Sequence, residues 1–291
     1  MKKIFLFELF WFVLAQSLGV LVASRFIGFG VKDSSVVEVE RVSFSNFDIL
    51  KFLIAFLVVN VSFFLILKLK KGKNIIFKSF FVFSAFFGGG VFLQLLWPGI
   101  IPLFLISFLI VFWFLRPYVW LHNLLLVLSV AGIGGVVGAR LQPEFVIFLF
   151  FILSFYDIIS VYKTKQTVKL AKGMMNSFAV LGIIIPEKFS NFGKKLKEVK
   201  FGDKEQKFLI LGSGDLVLPM VLACSFFGQG AEKSFIILFF SSLGLLFGFW
   251  LFKKMGGKPM PALPPIFIFS FIGYLIIKVL DLLSNNLSTT I

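Results

Sequence analysis

An all-α polytopic membrane protein of nine transmembrane helices, grouped six plus three, is the fold class this sequence predicts, and three observations predict it. The chain is 59% hydrophobic, with 44 Phe and a mean hydropathy of +1.01. Only 15% of it is charged, against roughly 25% in an average soluble domain. The apolar residues gather into nine runs close to the ~20 residues needed to cross a hydrocarbon core about 30 Å thick, and most basic residues lie between those runs.

The runs are 4–23, 49–67, 79–97, 101–115, 121–138, 143–162, 208–227, 235–252 and 264–280. The first holds Glu8 and Gln16 and runs past Val22, longer than the 7–15-residue apolar core of a cleavable signal, so it reads as a retained helix. The third and fourth are divided by Trp97-Pro98-Gly99, because Pro-Gly is a strong breaker. The ninth begins near Pro264 or Pro265, since proline is tolerated only in a first helical turn. It is then short, and Pro261-Ala262-Leu263 is expected to dip into the membrane as irregular backbone, which is tolerated only inside protein or beside a wet cavity.

Basic residues set the orientation, because Lys and Arg collect in cytoplasmic loops. With the N-terminus cytoplasmic and the C-terminus outside, 22 of the 29 basic residues fall on the cytoplasmic side, eleven of them from Lys163 to Lys207. The chain divides into a six-helix part (1–162), a cytoplasmic basic loop (163–207) and a three-helix part (208–291). Within the loop, 174–186 is too short to span and too apolar to lie free in water, and an interfacial helix is one reading. The β-branched stretch 178–186, ending in Pro186, fits a short edge strand better, and such an edge, formed near 178–186 or near 207–211, can capture an extended peptide.

Composition also excludes. The net charge of +15 sits in topological loops rather than in the patch of a nucleic-acid binder. Cys224 is the only cysteine, so no intrachain disulfide or cysteine metal cluster forms. A Ser-His-Asp or Cys-His triad would need His122, the only histidine, which stands beside Arg116 and Trp120 in an expected loop. No metal or cofactor is expected. The glycines at 88–90 and at 132, 134, 135 and 138 read as close helix packing.

The chemistry is left to Asp157 and Asp215, each within an apolar run. A carboxylate at the centre of a membrane helix costs about 2.5–3.5 kcal/mol on insertion scales, so such an acid is functional by default. Asp157 follows Tyr156 near the end of the sixth span, flanked by Ser154 and Ser160; Asp215 follows Gly212-Ser213-Gly214 in the seventh. Glycines there remove bulk and let another chain approach the backbone. Two acids close enough to share a proton cannot both ionise, leaving one acid and one base for water activation and peptide hydrolysis.

These motifs resemble a known family. Tyr156-Asp157, Gly212-Ser213-Gly214-Asp215 and Pro261-Ala262-Leu263, on the sixth, seventh and ninth spans, look like the YD, GxGD and PAL motifs of the presenilin and signal peptide peptidase intramembrane aspartyl proteases. The resemblance covers essentially the whole chain. It implies that Asp157 and Asp215 are the catalytic pair, and that Pro261, Ala262 and Leu263 shape the site and contact substrate, beside Tyr156, Gly212, Ser213 and Gly214. The compact length resembles microbial, archaeal members, and the orientation resembles presenilin rather than signal peptide peptidase.

The expected partners are transmembrane peptides or membrane-protein substrates and the bilayer, not nucleic acid. A homo-oligomer is left open, and no obligatory partner subunit is expected. The expected location is the cell membrane, as a multi-pass protein. The rival from another class is a proton-coupled transporter or ion-leak channel, because membrane carboxylates also serve as relays. Paired broken helices in inverted repeats would favour it, and the breaks at Gly212 and Pro261 lie in one third of the chain.

Overall fold

Proline and glycine punctuate the apolar sequence, and the helices begin and end at them. A computed structural model describes residues 2–32, 54, 73–164, 174, 179–198, 208–256 and 260–289. Among these are eight α-helices: α1 (Lys2–Lys32), α2 (Lys73–Leu96), α3 (Ile101–Leu115), α4 (Val119–Arg140), α5 (Pro143–Ile158), α6 (Ser213–Phe226), α7 (Ala231–Lys254) and α8 (Leu263–Thr289). A π-helical turn, Ile159–Lys163, continues α5. Two short strands, β1 (Gly182–Pro186) and β2 (Phe208–Gly212), pair antiparallel. Gly99 closes the α2–α3 turn at φ +137°, and Gly230 precedes α7 at φ +143°. Side chains rarely adopt those angles.

Among the described residues six helices are long and apolar enough to cross a membrane: α1, α2, α4, α5 with its π turn, α7 and α8; α3 and α6 are apolar but shorter. The expected second span, 49–67, lies outside the described residues. Three expectations are corrected. The apolar run 208–227 is not helical throughout, because its first five residues pair with β1 and the helix starts only at Ser213. The all-α class therefore gains a two-stranded sheet. The last helix is not short: it starts at Leu263, one residue before the prolines, and extends to Thr289.

At the centre stands α4, buried on nearly every side and packed against α1, α2 and α6. Its small residues permit that contact. A Cβ at Gly132 would collide with the Gly88 carbonyl oxygen of α2, and one at Gly138 would lie 2.5 Å from Cys224 Cβ of α6. Ser129 of α4 also donates to the Ser84 carbonyl of α2 at 2.7 Å. Phe83, Phe104, Phe108 and Phe239 remain exposed on the outer helices, as expected of surfaces that face lipid.

The first turn of α4 also holds the sheet. His122 is helical and fully buried, not in a loop; its ring stacks on Phe81 at 4.6 Å, and Nε2 lies 2.9 Å from the Val180 carbonyl oxygen. Asn123 works as a side-chain strand: Nδ2 donates to the Ile184 carbonyl at 2.8 Å, and Oδ1 accepts the Ile184 N–H at 2.9 Å. Alternate residues of an antiparallel pair point their backbone groups to opposite edges. With Ile184 turned to Asn123, the pairs Ile183↔Leu211 and Ile185↔Leu209 face each other across the ladder. Ser213 N–H to the Leu181 carbonyl, at 3.1 Å, follows the same alternation. Ile210 therefore turns its N–H and C=O away from β1, towards the outer edge of β2.

The strand expected within 178–186 is present as Gly182–Pro186, and its core-side edge is closed by α4. Replacing Asn123 with Leu leaves two buried backbone groups of Ile184 bare, at about 1–3 kcal/mol each. Hydrogen exchange on detergent-solubilised protein should show faster exchange at Ile184 and its strand neighbours while α7 is unaffected. Unchanged protection at Ile184 would mean that β1 does not rely on this side chain.

Candidate active site

Two helix ends and one strand meet around a cavity of about 750 Å³, and both membrane aspartates line it. Asp157 occupies the last regular turn of α5, just before the π turn. Its Oδ2 accepts the Leu263 N–H at 3.3 Å, and the Ala262 N–H also donates to it. The sequence of α8 explains this arrangement. The first turn of a helix has N–H groups without intrahelical partners, and Pro264 and Pro265 have no N–H to offer. The donors left at this end are concentrated at Ala262 and Leu263, and both point to Asp157.

Asp215 is the third residue of α6, whose N-cap is Gly212 in extended conformation (φ −62°, ψ 146°). Its carboxylate reaches back to the Gly212 N–H, as the acid of a capping box does. A Cβ at Gly212 would lie 3.1 Å from Asp215 Oδ2 and crowd that bond; a Cβ at Gly214 would meet nothing within 4 Å. The first glycine thus seats the carboxylate, and the second keeps the approach to it open. Pro219, one turn further on, has no N–H to donate to the Asp215 carbonyl.

Of the residues singled out in the sequence, Tyr156, Asp157, Gly212, Ser213, Gly214, Asp215, Ala262 and Leu263 all line this cavity. Pro261 is buried beside it without lining it. Tyr156 is half-buried and hydrogen-bonds Ser160. The two carboxylates are close enough to act on each other electrostatically. Among the described residues no Lys, Arg or His lines the cavity, and neither aspartate forms an ion pair. The rest of the wall is largely apolar, from Leu153, Val161, Phe249 and Phe252.

Leu209, Ile210 and Leu211 of β2, within the second stretch expected to offer a strand edge, line the cavity as well. Sequence reading missed one contributor. Glu8 of α1 lines the cavity, 5% exposed; its signal, an acid in an apolar run, was visible without any hint of where it pointed. Gln16, two turns further along α1, donates to the carbonyl of Leu216 at 3.3 Å and ties α1 to the helix that carries Asp215.

The family described as signal-peptide peptidase, presenilin aspartyl protease matches residues 11–282. No curated protein matches the chain. Two solved structures are similar over almost their whole length. One, a presenilin family intramembrane aspartate protease in space group C222, has a TM-score of 0.61 at 22% identity, covering 95% of this chain and 99% of that one. The other, a presenilin family intramembrane aspartate protease in space group P2, has a TM-score of 0.60 at 21% identity, covering 94% and 96%. At these identities the structures speak for the fold, and the family match, which extends over most of the chain, speaks for its chemistry. The chain belongs to the signal-peptide peptidase and presenilin family of intramembrane aspartyl proteases.

Proposed function

We propose that Asp157 and Asp215 are the catalytic pair, and that they hydrolyse peptide bonds within transmembrane segments of membrane proteins or signal peptides. The observation that carries this reading is that two carboxylates from separate helices share one largely apolar cavity, with no cation beside them among the described residues. The dyad holds a single proton. The ionised member takes a proton from water as the water oxygen adds to the peptide carbonyl carbon; the protonated member gives its proton to the carbonyl oxygen. As the gem-diol collapses, the dyad protonates the amide nitrogen and receives a hydroxyl proton, and the C–N bond breaks. A carboxylic acid and an amine leave, and the dyad again holds one proton.

Ala262 and Leu263 orient Asp157 through their N–H groups, while Gly212 orients Asp215. Tyr156, Ser213, Gly214 and the bend at Pro261 shape the space around them. A peptide bond in a helix is shielded by its own hydrogen bonds, so cleavage requires local unwinding, and the freed groups need partners in a low-dielectric site. The outer edge of β2 at Ile210 supports strand addition as the way they find them. The family match removes the ground for the transporter or channel alternative.

The chain's course is proposed as nine spans with the N-terminus and the 163–207 loop cytoplasmic and the C-terminus outside, in the cell membrane. The 1–162, 163–207 and 208–291 parts follow from that course. The distribution of basic residues supports it, and a single chain is proposed to suffice without partner subunits.

Three measurements test this reading. Asp157→Asn and Asp215→Asn should each lower cleavage of a transmembrane peptide below about one thousandth of wild type, since the members of a dyad act as a unit. Substantial turnover by either well-folded variant would reject the pair. Reporter fusions should place the 163–207 loop in the cytoplasm and Ile291 outside, and the reverse result would overturn the orientation. Ile210→Pro removes an edge N–H without taking a donor from the β1–β2 ladder. It should lower kcat/KM about 2- to 10-fold, the worth of one net hydrogen bond, and no change would sink strand addition while leaving the dyad intact.

A further inference from the structure

The proposed hydrolysis leaves one carboxyl of the cavity without a task. Glu8 lies on α1 with only 5% of its surface exposed, lines the same cavity as Asp157 and Asp215, and acts on Asp215 electrostatically. Its Oε2 has no hydrogen-bond partner among the described residues. Buried polar atoms are nearly always paired, and a bare one calls for a reason. Stability does not supply it, since an apolar side chain at this position would avoid burying an unpaired acid. Metal binding does not supply it either: no three acidic, His or Cys groups among the described residues are arranged to hold an ion. What remains is a ligand that enters the cavity, whose wall, among the described residues, has acids but no Lys, Arg or His.

We propose that Glu8 is a specificity residue that takes the basic side chain, Lys or Arg, of a substrate residue close to the scissile bond. This rests on the protease reading above and names the substrate class its site prefers. The chemistry is a charge-assisted hydrogen bond in a largely apolar, poorly solvated setting, where such bonds are strongest. Membrane proteins carry Lys and Arg at the cytoplasmic ends of their spans. Glu8, two turns into a helix that starts at Lys2, lies at the same end of the molecule in the proposed orientation. A Lys or Arg there would be drawn to Glu8 as the segment unwinds beside the dyad.

The test uses full-length protein in detergent micelles and a transmembrane peptide with a central Gly pair. One residue, either Lys or the uncharged norleucine, is walked through the positions flanking the cut. At one position at least, wild type should cleave the Lys peptide about tenfold faster in kcat/KM than its norleucine twin, the equivalent of 1.4 kcal/mol. Glu8→Gln, which keeps the shape and removes the charge, should shrink that ratio to about twofold or less, and Glu8→Leu should abolish it with Tm unchanged or raised. A merely structural role would lower both peptides together and leave the ratio alone, and would lower Tm in Glu8→Leu. Either outcome overturns the inference, as does a wild type indifferent to Lys. Failure of the protease reading looks different: wild type and Asp215→Asn would then be equally unable to cleave any peptide.

Discussion

Backbone groups in hydrocarbon must be satisfied within the protein, and the whole site is an answer to that constraint. Irregular backbone surrounds the cavity in β1, β2 and the starts of α6 and α8. Each irregular segment is therefore given a side-chain partner from elsewhere in the chain. Ile184 of β1 is closed by Asn123, Val180 by His122, the start of α8 by Asp157 and the start of α6 by Asp215. The outer edge of β2 at Ile210 is the place where this pattern stops, and it stops at the wall of the cavity.

The same bonds give the aspartates a structural role beside the one proposed for them. A carboxylate set on the N-terminal N–H groups of a helix is favoured by the dipole of that helix. Each member of the pair therefore has an anchor that does not depend on the other. This bears on how the acids can be kept in a membrane at all. The insertion cost of about 2.5–3.5 kcal/mol per acid is offset in part by charge-assisted hydrogen bonds worth about 1.5–3 kcal/mol. Glu8 has no such anchor among the described residues, and that contrast sets it apart from the two aspartates.

The helices were legible because hydrocarbon thickness imposes a length that composition alone reveals, and because Pro and Gly punctuate the runs where α2 gives way to α3 and α6 to α7. The site was legible through the acids: Asp157 and Asp215 break an apolar pattern at a known energetic cost, so their presence demands an explanation. The strand in 182–186 showed itself through three successive Ile residues before Pro186. Its partner was legible only as an alternative edge near 207–211 that competed with a helical span over 208–227, because Phe208-Leu209-Ile210-Leu211 continues directly into an apolar helix and periodicity cannot separate a buried strand from a buried helix segment. Nor were the roles of His122 and Asn123 legible. A polar pair at the start of a membrane helix reads as interfacial until the fold brings Val180 and Ile184 against it.

The two aspartates also belong to differently held parts of the molecule. Asp157 rides on α5, which runs antiparallel to α8 and is fastened to it along its length: Glu144 to Lys278 at 2.6 Å, the Phe150 ring 5.3 Å from that of Phe267, and Asp157 to Leu263. Asp215 rides on α6, which is packed into α4 and tied to α1 through Gln16. The exposed ion pair is worth little, about 0–1 kcal/mol, so the α5–α8 pair is held chiefly by apolar packing and by the bond at the active site itself. Any shift of α8 that lengthens the bond from Leu263 releases Asp157 from its anchor while Asp215 keeps its own. The Pro261-Ala262-Leu263 segment is thus coupled to the cavity through one carboxylate, and any displacement of Ala262 and Leu263 alters Asp157 before it reaches Asp215.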